Sequence, residues 1–259
     1  VTTAQTAPPA PQPAAPRLWY MIEGGRYDGS EPPFLDPRDH PWLRTLEDNW
    51  ETIRDEIQVL LARHESRLEP YFNRAMFFPP RSWKTMGFYF WTWRIHKNCR
   101  ECPKTTAILE SIPNMTAGSL SVLEPHSNIN PHQGDTNAIV RTHLGLDIPA
   151  PLPACGLQVG REIRGWEEGK ALPFIDAMTH SSWNQSDRRR LVLIVDVMRP
   201  EFAARTGAIC RHVLASTFLQ VVYQRFAVLN RMPGSLKFAI HAVARAFLRP
   251  WMPLQRLHR

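Results

Sequence analysis

The sequence has no run of apolar residues long enough to cross a membrane. The best candidate, 213–224, is short and is flanked by Arg211, His212 and Arg225. Residues 1–17 contain no apolar stretch of the secretory-signal kind. Cysteine is scarce: Cys99, Cys102, Cys155 and Cys210 are the only four in 259 residues, and they follow no disulfide framework. That usage points to a reducing, cytoplasmic compartment. Cys99-x-x-Cys102 has redox or zinc spacing, but no second pair follows, so a structural zinc would lack ligands. Two free thiols packing the start of a helix are expected instead. Acid is nearly absent from the C-terminal end. From Glu201 onward there are nine Lys/Arg and one acid, within a formal total of +7 for the whole chain. The basicity therefore belongs to the tail. This argues against nucleic acid as a partner of the whole chain. It leaves the tail open to an acidic partner or to peripheral contact with a membrane surface.

What is present is an ordinary globular composition, 43% hydrophobic and 21% charged. Residues 1–17 read as a flexible Pro/Ala-rich tail. Residues 18–41 are rich in aromatics and proline and read as an arm lying over the domain. Residues 40–66 repeat Leu43, Leu46, Trp50, Ile53, Ile57 and Leu60 at helical steps. An aromatic strand is expected over 87–95 and a short helix over 103–111, with Pro103 in its first turn. The pattern then changes to alternation. Strands are expected over 118–123, 137–148, 157–159, 162–166, 171–175 and 191–198, which indicates a β-sandwich or barrel. Helices return over 201–230 and 235–248, broken at Pro233-Gly234. The division is a tail (1–17), a mainly β domain with N-terminal helices (18–202) and a basic helical extension (203–259).

Alternation decides which side chains can meet. Arg141 and His143 share a strand face, and so do Arg190, Val192, Ile194 and Asp196. A buried Arg on an inward face, such as Arg141 or Arg190, needs an anion, and no nearby acid in the sequence is clearly that partner; a bound carboxylate would serve. His132 and His180 could form a two-imidazole site for a divalent metal, and iron, zinc and copper all remain open.

His132-Gln-Gly134, Asn137, Arg141-Thr-His143-Leu-Gly-Leu, Trp166-Glu-Glu-Gly-Lys170, His180, Arg190 and Ile194-Val-Asp196-Val with Pro200 together resemble the aspartyl/asparaginyl β-hydroxylase family. The resemblance covers about 118–202. It implies a double-stranded β-helix (jelly-roll, cupin-like) core and an Fe(II)- and 2-oxoglutarate-dependent dioxygenase that consumes O2. By that resemblance His132 and His180 bind iron. Arg190, helped by Ser121, clamps the distal carboxylate of 2-oxoglutarate. Arg141 and His143 lie near the metal-chelating end of the cosubstrate. Most such dioxygenases carry a carboxylate two residues after the first His; here Gly134 stands there, and Asp135 is one residue too late. Relatives that hydroxylate lipid A acyl chains carry Asp at that position. Gly134 therefore favours hydroxylation of the β-carbon of an Asp/Asn-type residue, in a peptide, an amino acid or a carrier-bound intermediate. The alternatives are a lipid acyl-chain hydroxylase, which the basic tail favours, and a non-catalytic barrel binding a metal or a small acid.

Other residues read more plainly. His126 is expected in a loop, Asn137 as a brace for the segment after His132, and Asp196 in an internal pair. The Trp166–Lys170 stretch reads as a turn, and the aromatics of 88–93 as core. Lys237, His241, Arg245 and Arg249 recur every four residues, apart from Ile240, Val243 and Phe247. This suggests a helix packed on the barrel with its basic face in solvent.

Overall fold

The computed structural model describes residues 16–250. The N-terminal arm leads into helices α1 (Leu43–Glu47) and α2 (Trp50–His64). The expected single helix is thus two. It breaks at Asn49, whose side chain turns back to donate to Thr45 O at 2.9 Å. Short strands β1 (Glu69–Pro70) and β2 (Phe77–Phe78) follow, then β3 (Trp83–Phe90) and β4 (Trp93–Arg94). The aromatic stretch is therefore a hairpin. Trp91 and Thr92 form its two-residue turn with φ of 48° and 69°, the left-handed backbone such turns require. Helices α3 (His96–Glu101) and α4 (Pro103–Ser111) carry the four-residue Cys99–Cys102 motif at their junction. Both thiols are buried and outside any disulfide, as are Cys155 and Cys210.

The barrel strands are β5 (Met115–Leu123), β6 (Ser127–His132), β7 (Ile139–Asp147), β8 (Cys155–Val159), β9 (Glu162–Arg164), β10 (Ala171–Phe174), β11 (His180–Asn184) and β12 (Arg190–Met198). One sheet runs β1-β3-β5-β12-β7-β10, with β4 on β3; the other runs β2-β6-β11-β8-β9. All the strand pairs are antiparallel. From β5 to β12 the chain passes back and forth between the sheets. This interleaving is the double-stranded β-helix expected from the sequence.

Parity divides the larger sheet. Leu120, Val122, Leu144, Leu146, Leu191, Leu193 and Val195 face outward and are buried under Ile53, Ile57, Leu60 and Leu61 of α2. Each such side chain contributes roughly 1.5–3 kcal/mol on burial. The helical layer therefore holds the sheet from behind and leaves its other face to the barrel interior. That inner face carries Ser121, Arg141, His143, Arg190, Val192 and Asp196.

After a 3-10 turn at Pro200–Arg205 come α5 (Thr206–Arg225), a second 3-10 turn at Ala227–Arg231, and α6 (Gly234–Phe247). Ile209, Cys210 and Val213 of α5 share a core with Tyr20, Trp91, Ile139 and Phe202. The expected 201–230 helix is thus shorter at both ends. The sequence tail is described only from Pro16, and residues 251–259 of the extension lie outside the described residues.

Candidate active site

Strand register brings the site together. In the smaller sheet β11 pairs β6 so that His180 is opposite His132. In the larger sheet β12 pairs β7 with Asp196 opposite Arg141, and pairs β5 with Val192 opposite Ser121. Residues nearly fifty apart in sequence meet because antiparallel strands align them.

The two imidazole rings lie 4.1 Å apart between centroids. His132 Nδ1 is 2.8 Å from Asn130 O, and His180 Nδ1 is 2.9 Å from Met178 O. A carbonyl can only accept, so each Nδ1 carries the proton and each Nε2 keeps its lone pair. Burial pushes the His132 imidazole down to about 3, helped by His180, and burial pushes His180 down to about 4. Both rings are therefore neutral near pH 7, the state in which imidazole binds a metal.

Arg190 is 1% exposed, the largest fully buried side chain among the described residues. Its Nη1 reaches Ser121 Oγ only at 3.5 Å, and its Nε has no hydrogen-bond partner. The guanidinium lies 4.8 Å from the centre of the Trp166 ring. Burial with no anion beside it pulls Arg190 down to about 10. A buried charge left without an opposite charge costs roughly 3–5 kcal/mol. Ser121 is itself held by Trp83 Nε1 at 3.0 Å. This corner holds a buried cation with no anion beside it.

His143 accepts from Trp166 Nε1 at Nδ1, 3.2 Å away, and is wedged edge-on to Phe174 at 5.0 Å. Burial, then Arg190, hold it well below its ordinary value. Phe174 is in turn 5.5 Å from His180, so one aromatic wall runs from His143 to the histidine pair.

Arg141 departs from the role near the cosubstrate. Its Nε and Nη2 grip Asp196 at 2.8 and 2.7 Å, and its Nη1 donates to Asp176 at 2.5 Å. The anion that the sequence did not supply is thus internal, and it is two buried aspartates. Held between them, the guanidinium is pushed well above its ordinary value. Asp196 is in the internal pair expected of it. Asp176 was not foreseen. Its Oδ1 lies 3.5 Å from His180 Nε2, and its carbonyl accepts from Gly134 N at 2.8 Å. The sequence signal was the unanswered charge of Arg141. Asp135 is half-buried, and burial together with Asp176 pushes it up to about 7. No group of three His, Cys, Asp or Glu side chains among the described residues is arranged to hold a metal ion. The chain offers two imidazoles.

Trp166 was expected to mark a turn, yet its buried indole touches both His143 and Arg190. Trp83 was also missed; it lies 6.3 Å from His132 and stacks on Tyr71 at 3.9 Å. Asn137 braces the arm: it accepts from Trp19 N at 2.8 Å and donates to Arg17 O at 2.9 Å. His126 is an exposed loop residue paired with Asp187 at 2.9 Å. Trp91 is core.

Comparison with known proteins places this geometry in context. Residues 47–200 match the family model described as aspartyl/asparaginyl beta-hydroxylase. The ornithine lipid ester-linked acyl 2-hydroxylase of Rhizobium tropici is 34% identical over 173 residues, covering 65% of this chain and 61% of that protein. The human aspartyl/asparaginyl beta-hydroxylase is 33% identical over 164 residues, covering 61% of this chain and 21% of that protein. The chain thus spans less than two thirds of the length of either relative. Among solved structures, a Pseudomonas putida prolyl-4-hydroxylase is similar over 57% of this chain and 87% of its own, at 13% identity and a TM-score of 0.43.

Proposed function

The chain belongs to the aspartyl/asparaginyl beta-hydroxylase family, and on that premise we propose that it is an Fe(II)- and 2-oxoglutarate-dependent hydroxylase acting on an acyl chain carried by a lipid. The observation that carries the reaction class is the buried guanidinium of Arg190, which has no anion beside it, in the same barrel as the His132–His180 pair.

The residues fit both groups. His132 and His180 would hold the metal through Nε2, because their Nδ1 protons are already committed to backbone carbonyls. Arg190 and Ser121 would hold the distal carboxylate of 2-oxoglutarate, satisfying the orphaned Nε. When bound, Fe(II) and 2-oxoglutarate supply an oxidation in which O2 is consumed, 2-oxoglutarate leaves as succinate and CO2, and one oxygen atom enters a C–H bond as hydroxyl. Trp166 and Phe174 wall the interior and exclude water from the reacting groups. Asp176, steadied by Arg141, sets a negative charge beside the Nε2 face of His180.

Two things support a lipid substrate. The Rhizobium relative acts on a lipid acyl chain by its description, and this chain spans far more of that protein than of the human one. The C-terminal end is strongly basic, with no acid after Glu201. The glycine at 134 does not count against this substrate. Its lack of a side chain is explained by packing, since a Cβ there would collide with the Asp176 carboxylate. A second substrate, an aspartyl or asparaginyl side chain in a peptide, is favoured by the family description and the human relative. A non-catalytic barrel is disfavoured by the match to a family of hydroxylases.

The test is turnover with purified protein, Fe(II), 2-oxoglutarate and O2. One arm receives an amino-acid-headgroup lipid with ester-linked acyl chains, the other an Asp/Asn-containing peptide. Lipid-dependent succinate, with an acyl product heavier by one oxygen atom, is expected. A product only in the peptide arm selects the second substrate. Absence of iron-dependent succinate in both arms rejects the enzyme assignment.

A further inference from the structure

Helix α6 turns part of its basic stripe inward and leaves much of its apolar stripe in solvent. Lys237, His241 and Arg245 are four residues apart and so share one face. That face is turned onto α5. His241 is 6% exposed and bonds Ser216 Oγ at 3.0 Å and His212 O at 3.1 Å. Arg245 reaches His212 Nδ1 at 3.5 Å, and Lys237 lies 5.6 Å from the centre of the Tyr223 ring. These pairs also show that α5 and α6 run antiparallel. His241 is buried and Lys237 half-buried against α5 while Arg245 stays exposed, so part of the basic stripe expected to face solvent packs against the protein.

The apolar stripe is left outside. Leu236, Ile240, Val243 and Phe247 follow helical spacing. Leu236 is 46% exposed and Val243 69%. Phe218 on α5 and Phe226 beside the following turn are also exposed. An amphipathic helix in water buries its apolar stripe and solvates its polar one. This one leaves Leu236 and Val243 in solvent, and large apolar side chains exposed together on one helix face mark a contact.

We infer that the α5–α6 hairpin is the surface by which this protein docks on an anionic lipid bilayer. Charge identifies the occupant. The 58 residues after Glu201 contain no Asp or Glu, and Arg225, Arg231, Arg245 and Arg249, on or next to the hairpin, are exposed. A second copy of this hairpin would bring like charges together without an answering acid. A bilayer with anionic headgroups answers both features, since its acyl region takes Leu236 and Val243 while its headgroups neutralise the arginines. No helix among the described residues is long and apolar enough to cross a membrane, so α6 lies along the surface. The inference deepens the lipid-substrate proposal and rests on it for its purpose, but docking is scored without turnover.

The experiment is sedimentation of the full chain with vesicles of phosphatidylcholine alone or mixed equally with phosphatidylglycerol. The protein is expected to sediment with the mixed vesicles and to stay in solution with the neutral ones. Leu236→Glu combined with Val243→Glu should weaken binding by roughly a hundredfold, since each side chain that no longer inserts costs about tenfold. Arg231→Glu should weaken it about fivefold or more. Val59→Glu, at a residue 51% exposed on α2, should leave binding unchanged. Unchanged circular dichroism in the double variant separates lost docking from lost fold. Protein that stays in solution with mixed vesicles, or a folded double variant that binds like wild type, overturns the inference. So does a wild-type dimer that the double variant breaks without any vesicle binding in wild type. Vesicle binding with no turnover on any lipid upholds docking while rejecting the lipid substrate.

Discussion

Asp176 and Gly134 share one place in the barrel: the Asp176 carboxylate occupies the space into which a Cβ on Gly134 would project. Arg141 holds that carboxylate, so it cannot swing aside without breaking an ion pair. Gly134→Ala should therefore cost roughly 1–3 kcal/mol, as overpacking does. The cost should be non-additive with Asp176→Ala, because the second substitution removes the atoms the first collides with. Thermal unfolding of the metal-free single and double variants checks this. Strict additivity would show that the two residues do not compete.

Arg190 should behave differently with and without ligand. Arg190→Met removes a buried charge that lacks an anion, so the ligand-free variant should be as stable as wild type or more so. Wild type should gain about 2.7 kcal/mol from 2-oxoglutarate at about a hundred times its Kd, under anaerobic Fe(II). The variant should gain almost nothing. Paired melting curves with and without 2-oxoglutarate give both numbers, and an equal ligand-induced shift in the two proteins would remove Arg190 from the carboxylate site.

Stripping metal with a chelator should abolish succinate formation, and Fe(II) should restore it. In His132→Ala the restoration should fall short by more than about 100-fold, beyond the usual effect of a residue that only supports a ligand. Metal content after dialysis should fall in parallel. Retained iron with retained turnover would exclude His132 as a ligand.

His212 should make the C-terminal hairpin sensitive to acid. It stacks on Tyr20 at 3.8 Å, faces His241 and Arg245, and is held down to about 4 by burial first and then by these two neighbours. The folded value is depressed, so below its ordinary 6.5 the unfolded ring binds a proton that the folded ring refuses. Stability from this site is complete above about pH 6.5 and is lost as pH falls toward about 4. Hydrogen exchange of α5 and α6 should accelerate across that window. His212→Phe keeps the stacked ring and should flatten the response.

Asn137→Ala should loosen the arm, because it leaves Trp19 N and Arg17 O without their partner. Two lost bonds cost roughly 1–3 kcal/mol. Tryptic cleavage at Arg26 should then rise about tenfold for each 1.4 kcal/mol lost. Cleavage at the wild-type rate would mean that the arm is held elsewhere.

Strands with strong alternation were legible in the sequence, and β7, β10 and β12 lie close to where periodicity put them. The two strands that carry the histidines were not. Ser127-Asn-Ile-Asn-Pro-His132 and His180-Ser-Ser-Trp-Asn184 are too polar to show a period. They are strands because they pair with each other and with β2 and β8. The ion pairs of Arg141 were hidden for a related reason. Asp196 was visible by parity, but Asp176 follows β10 and reaches Arg141 only through the fold.

By itself the sequence determined the barrel class and the family, because strand alternation and the spacing of motif residues carry those signals, and it offered His132, His180 and Arg190 as candidates. Tertiary structure alone decided which ring nitrogens are free, which acids answer Arg141 and why position 134 is glycine. It also decided that α6 turns its apolar face outward. Periodicity gives a helix two faces but cannot say which one meets a neighbour; that depends on His212 and Ser216 presenting polar atoms to His241.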